Sequence, residues 1–158
     1  MHTTAQQLAR GGHVDYAKGA LAGLAGGIVM AIVAMMITGG MGMGLFAMPA
    51  MIAGLVLGTA AAMSGGAMVV IVGLMLHMML SAMFGVVFVT LVNYATHEFV
   101  WTGLIFGLAL WVFNFYVIGA FIPAAHMMAQ QEPAWLAIMT HAVFGISTGL
   151  LAKNWARP

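Results

Sequence analysis

Four stretches of about 20 mostly apolar residues, separated by polar or glycine-rich punctuation, dominate this sequence. At a rise of 1.5 Å per residue, about 20 residues make a helix as long as the hydrocarbon core of a bilayer is thick. The stretches run from about Gly19 to Thr38, Gly66 to Val92, Trp101 to Phe121 and Ala134 to Ala152. The first is too long for a signal-peptide core and lacks a convincing cleavage site, so a retained helix is expected. Hydrophobic residues make up 64% of the chain and charged residues 4%, against roughly 25% charged in soluble domains. Such a composition builds no water-facing surface, and the chain reads as an integral membrane protein.

The same scarcity excludes other classes. Four Lys and Arg are too few for the phosphate contacts that drive nucleic-acid binding. Cysteine is absent, which removes disulfides, thiolate metal sites and thiol catalysis. Asp15, Glu98 and Glu132 are the carboxylates, and none falls inside an apolar run, so no carboxylate proton relay is expected within the membrane. Neither a phosphate-binding loop nor a Ser/His/Asp grouping is present. The chain is therefore not expected to be an enzyme.

Short connections favour antiparallel neighbours, giving an all-α, up-down-up-down bundle of four transmembrane helices. Arg10 and Lys18 precede the first helix, and Lys153 and Arg157 follow the fourth. By the positive-inside rule both termini are expected in the cytoplasm, in a multi-pass protein of the cell inner (plasma) membrane. The expected organisation is a cytoplasmic tail (1–18), a four-helix transmembrane domain (19–152) and a second cytoplasmic tail (153–158). Trp101, Trp135 and Trp155 fall at span ends, where indole favours the interface. Between the first two spans, Leu45 to Leu57, broken by Pro49, is expected to form a short interfacial or re-entrant helix.

Gly19, Gly23 and Gly27 recur every four residues in the first span, as do Gly73, His77, Ser81 and Gly85 in the second. Gly103 and Gly107 in the third, and His141, Gly145 and Gly149 in the fourth, keep the same spacing. Stripes of that period lie along one helix face, and small residues there let helices approach closely. A weak internal repeat follows, pairing Gly19 and Gly23 with Gly103 and Gly107, and His77, Ser81 and Gly85 with His141, Gly145 and Gly149.

The stripes turn His77 and His141 toward other helices. Counted at 1.5 Å per residue from the basic ends, His141, Asn114 and His77 lie about 18, 20 and 24 Å up, within about one helical turn of each other. Buried polar groups in a membrane are costly and read in several ways. Interhelical hydrogen bonding is one. A copper or zinc site is another, since neutral imidazole and thioether suit soft ions and Met75, Met78, Met79 and Met139 lie nearby in sequence. Bis-histidine haem b ligation is a third, although no Lys or Arg is placed to meet propionates; a quinone or small-molecule pocket is the fourth. A second His/Met concentration is expected on the face opposite the tails, from Met41, Met43, Met48 and Met51 with His126, Met127, Met128 and Glu132. Copper capture competes there with methionines that merely dip into lipid.

These features resemble the YagU-like family of small four-helix bacterial inner-membrane proteins, whose function is unknown. The likeness covers roughly residues 17–152. It rests on Gly19-x3-Gly23-x3-Gly27 with Met30, His77 with Gly85, Gly103-x3-Gly107 with Trp111 before Pro123, and His141-x3-Gly145-x3-Gly149. The resemblance implies a four-helix topology and carries no activity; the Met-rich segment Gly39 to Gly65 departs from it. Two functions are expected from the residues. The first is a non-catalytic accessory subunit without a cofactor. Its surplus glycine faces, such as Gly23, Gly26 and Gly27, would pack against a larger membrane complex, respiratory or otherwise redox, or against a second copy. The second is a copper- or haem-binding protein using His77 and His141, with His126 as a further candidate ligand.

Overall fold

The computed structural model describes residues 14–95 and 98–155; Arg10, Arg157, His2, His13 and His97 lie outside the described residues. The described chain is all α-helical, as lipid demands of a backbone that must satisfy its hydrogen bonds internally. The order is α1 (Tyr16–Gly40), α2 (Ala47–Leu57), α3 (Thr59–Ser64), α4 (Ala67–Ala95) and α5 (Phe99–Val112). A π-helical stretch (Phe113–Ile118), α6 (Gly119–Phe121), α7 (Pro123–Gln131) and α8 (Ala134–Trp155) follow. Among the described residues, four helical segments are long and apolar enough to cross a membrane: α1, α4, the third span Phe99–Phe121, and α8. The expected spans are therefore present, their bounds within three residues of those the apolar runs suggested.

Asp15 caps α1 by accepting from the Lys18 amide at 3.0 Å, which together with the Lys18 ammonium at 3.3 Å holds its carboxyl below the usual carboxylate range. Lys18 and Lys153 thus mark one end of the bundle, called here the basic end. Trp101, Trp135 and Trp155 are exposed at span ends.

Glycine joins the spans. A Cβ on Gly23 would meet the Ser81 carbonyl and lie 2.7 Å from the Gly85 Cα, and a Cβ on Gly107 would meet the His141 carbonyl and lie 3.2 Å from the Gly145 Cα. Only residues without side chains allow backbones this close. The two antiparallel hairpins, α1 with α4 and the third span with α8, are locked in this way. They dock through α1 and α8, where Gly26 faces Thr148 and Phe144. The spans therefore line up as second, first, fourth, third. The second and third spans barely touch, with the Phe88 and Phe106 rings 5.5 Å apart.

The contact register corrects the sequence repeat by one turn: Gly85 and Gly145 are the equivalent seam residues, so Ser81, and not His77, corresponds to His141.

Beyond the contact of the Phe88 and Phe106 rings, the second and third spans are bridged by α7, packed on the π-helical stretch, and by α2, packed on both α4 and α7. In α2, Pro49 does not break the helix, because Pro49 sits in the first turn, where no intrahelical N–H is needed. The Pro49 carbonyl packs where a Gly73 Cβ would be, so α2 reaches about 9 Å below the start of α4 at 1.5 Å per residue. Met48, Pro49, Ala50, Met51, Ala53 and Gly54 are buried, which makes the segment an inserted wall and not a surface helix. The connection after Phe121 also holds a helix, α7, begun by Pro123 at its first position.

Candidate binding cavity

Beneath α2, toward the end opposite Lys18 and Lys153, all four spans, α2 and α7 line a half-open cavity of about 130 Å³. Its wall is apolar except for His77, Ser81, Asn114, Glu132, Thr140 and His141. The sequence places His77, Asn114 and His141 at similar depth, and the structure brings all three to this one space.

Each histidine is fixed by the backbone. The Nε2–H of His77 donates to the Gly27 carbonyl across the helix pair at 3.0 Å. The approach is open because Gly27 has no side chain; a Cβ there would lie 2.6 Å from the Ser81 Cβ. On α8, the Nδ1–H of His141 donates to Ala137 O at 2.8 Å. Carbonyls only accept, so these bonds set the tautomers. Nδ1 of His77 and Nε2 of His141 are left as lone-pair acceptors. His141 Nε2 receives the Asn114 amide at 3.4 Å, which is long for a hydrogen bond. His77 Nδ1 has no hydrogen-bond partner among the described residues, yet the one sealed, unpartnered side-chain atom there is Thr148 Oγ1. His77 Nδ1 is therefore not sealed, and its residue lines the cavity.

The π-helical stretch lies at this point of the third span. Its wider turn lets two successive residues address one partner: Asn114 through its amide, and Phe115 through a ring set edge-on to His141, with centroids 5.7 Å apart. Such widened turns recur at functional sites, and nothing in the apolar pattern announced this one.

Glu132 stays outside the four spans, as expected, but corrects the expectation that it sits on an exposed surface. It is 8% exposed and lines the cavity from the loop before α8, where burial pushes its carboxyl up to about 7. The four-residue spacing that exposed the histidine stripes also carries it, since Ala124 and Met128 are buried at that period before Glu132.

The expected His/Met surface is divided by the fold. Met48, Met51, Met128 and Glu132 are buried, whereas Met41 is 47% exposed. His126 is exposed and pairs with Gln130 at 3.0 Å; it does not line the cavity, so the candidate trio His77, His141 and His126 is not assembled. Met30, Met35, Met48 and Met128 supply thioethers to the lining, in place of the sequence neighbours Met75 and Met79, which are exposed. Among the described residues no three His, Asp or Glu side chains form a metal-holding group. A space of about 130 Å³ compares with an apolar cavity of about 150 Å³ that holds benzene, far short of a porphyrin.

Comparison of the chain with protein families, curated proteins and solved structures returns no match.

Proposed function

We propose that this chain is a non-enzymatic, multi-pass membrane protein that binds a small ligand inside the bilayer, in the cavity between His77 and His141. The observation that carries this reading is the pair of imidazole acceptors, each fixed by a backbone carbonyl on its other nitrogen, on the wall of one otherwise apolar cavity. An apolar pocket with a few convergent polar groups is the usual form of a small-molecule site. Because the imidazole N–H groups are spent on carbonyls, the rings offer lone pairs, which suits a hydrogen-bond donor or a soft cation over a carbonyl ligand. The positive-inside rule puts the basic end in the cytoplasm of a cell with this chain in its plasma membrane, and the cavity in the opposite leaflet.

Phenol, a ring-sized donor, tests the reading. It should raise the melting temperature of the detergent-purified chain, as any ligand of the folded state does. It should have no such effect on Ala34→Phe, which fills the cavity, or on the His77→Ala/His141→Ala double variant. No shift in the wild type, with no small-molecule adduct in the native mass spectrum, would overturn it.

An accessory subunit of a larger membrane complex is the second reading. Its ground in surplus glycine is gone, because Gly23 and Gly27 face α4 and Gly26 faces α8. What favours it is the uncovered face of α4, where Met68, Ile71, Met75 and Met79 are exposed at helical spacing; methionine is common on adaptable binding surfaces. Blue-native electrophoresis of gently solubilised membranes distinguishes a larger complex from a free chain.

A further inference from the structure

We propose that the cavity ligand is a single monovalent copper ion, held by His77 Nδ1 and His141 Nε2 with thioether support from the lining methionines. The inference rests on the cavity reading above and names its occupant.

The first ground is how the two rings are held. A ligating histidine almost always gives its second nitrogen to a fixed acceptor, which sets the tautomer and aims the lone pair. Gly27 O does this for His77 at 3.0 Å and Ala137 O for His141 at 2.8 Å. The bonds come from different helices and neither residue pairs with the other, so hydrogen bonding between the histidines does not explain both.

Donor chemistry is the second. The same lining that holds both imidazoles offers Met30 and Met35 from α1, Met48 from α2 and Met128 from α7, and thioether with imidazole selects Cu(I). Zinc takes four ligands and calcium and magnesium want sets of oxygens, whereas the described residues contain no group of three His, Asp or Glu to serve them.

Charge and size agree. Neutral donors add no charge of their own, so a monovalent ion carries the smallest charge a bound metal can bring into a medium where ions are costly. Glu132 is the one acidic side chain on the lining, which has no Lys or Arg. Binding requires the Asn114 amide to leave His141 Nε2, and at 3.4 Å that bond is already long.

The test is an anaerobic titration of the detergent-purified full chain with Cu(I) against a chromogenic Cu(I) chelator. One ion per chain is expected. His141→Ala and His77→Gln should each weaken binding by at least about tenfold. The glutamine keeps a donor for Gly27 O, so its loss of binding is not a loss of fold. X-ray absorption of the copper-loaded chain should show nitrogen and sulfur scatterers, with sulfur reduced in Met48→Leu. Copper bound equally well by the histidine variants would place it on surface methionines and overturn the inference. A phenol-stabilised wild type that fails to compete for Cu(I) would overturn copper and leave the cavity reading standing; failure of both measurements would remove both.

Discussion

The imidazole of His77 donates through Nε2 to the carbonyl of Gly27 at 3.0 Å, joining residues 50 positions apart. It is a side-chain bond between the first two spans at the level of the cavity. His77→Ala should lower stability by about 0.6–2 kcal/mol, the range of interhelical hydrogen bonds in membranes. His77→Gln should recover part of it. Unfolding in mixed micelles by titrated sodium dodecyl sulfate reads both.

The glycine seams give the largest expected effects. Gly23→Ala would drive a methyl group into the Ser81 carbonyl and the Gly85 backbone, atoms that move only if the helices part. A loss of about 1–3 kcal/mol is expected, the usual cost of overpacking. Gly145→Ala should cost about the same, since its Cβ would meet the Gly103 carbonyl. Gly40→Ala is the control: nothing lies within 4 Å of its Cβ, and no loss should appear in the same assay.

Glu132 predicts a pH dependence. Burial raises its carboxyl to about 7 in the fold, from 4.5 in the open chain, so the folded state prefers the protonated form. Its contribution is complete below about pH 4.5 and is lost as pH rises toward about 7. The whole loss is roughly 3.5 kcal/mol at most, at about 1.4 kcal/mol per unit. Glu132→Gln should flatten that part of the stability profile and be more stable than the wild type at pH 8, as thermal melts across pH would show.

Thr148 carries the one sealed hydroxyl without a hydrogen-bond partner among the described residues. Its neighbours in kind bond back to their own helices, Thr140 to Leu136 O at 2.9 Å and Thr38 to Ala34 O at 3.0 Å. Thr148→Val keeps the shape and removes the orphan group, so stability should stay level or rise by about 1 kcal/mol. Thr140→Val should instead be neutral to destabilising in the same unfolding assay.

Orientation is checked by labelling. A cysteine placed at Gly58, in the turn after α2, should react with an impermeant thiol reagent in intact cells, and one at Lys153 only after the membrane is opened. The reverse pattern would invert the topology.

The spans were legible because twenty apolar residues in a row have few physical alternatives, and the seams because a four-residue spacing of glycine marks one helix face. His77, Asn114 and His141 could be set at a common depth by counting along helices. Rotation about each helix axis was beyond such counting, and here it was decided by the glycine contacts. The π-turn at Asn114 and Phe115 left no trace in the apolar pattern, since all its residues but Asn114 and Tyr116 are as apolar as the helix around them. A loop position such as that of Glu132 suggests exposure; only the packing of α7 against α2 shows that this side chain lines the cavity. Pro49 suggests a helix break by residue type, whereas its place in the first turn is what decides.

The spans are riveted to one another by Gly23 with Gly85, Gly107 with Gly145, and Gly26 with Thr148, and α2 is held to α4 by the same device, Gly73 against the Pro49 carbonyl. The wall beside the chamber is thus pinned to the second span through a glycine that no seam between the spans uses. A side chain at that one position would push α2 outward and widen the way to both imidazoles, with the seams between the spans left whole.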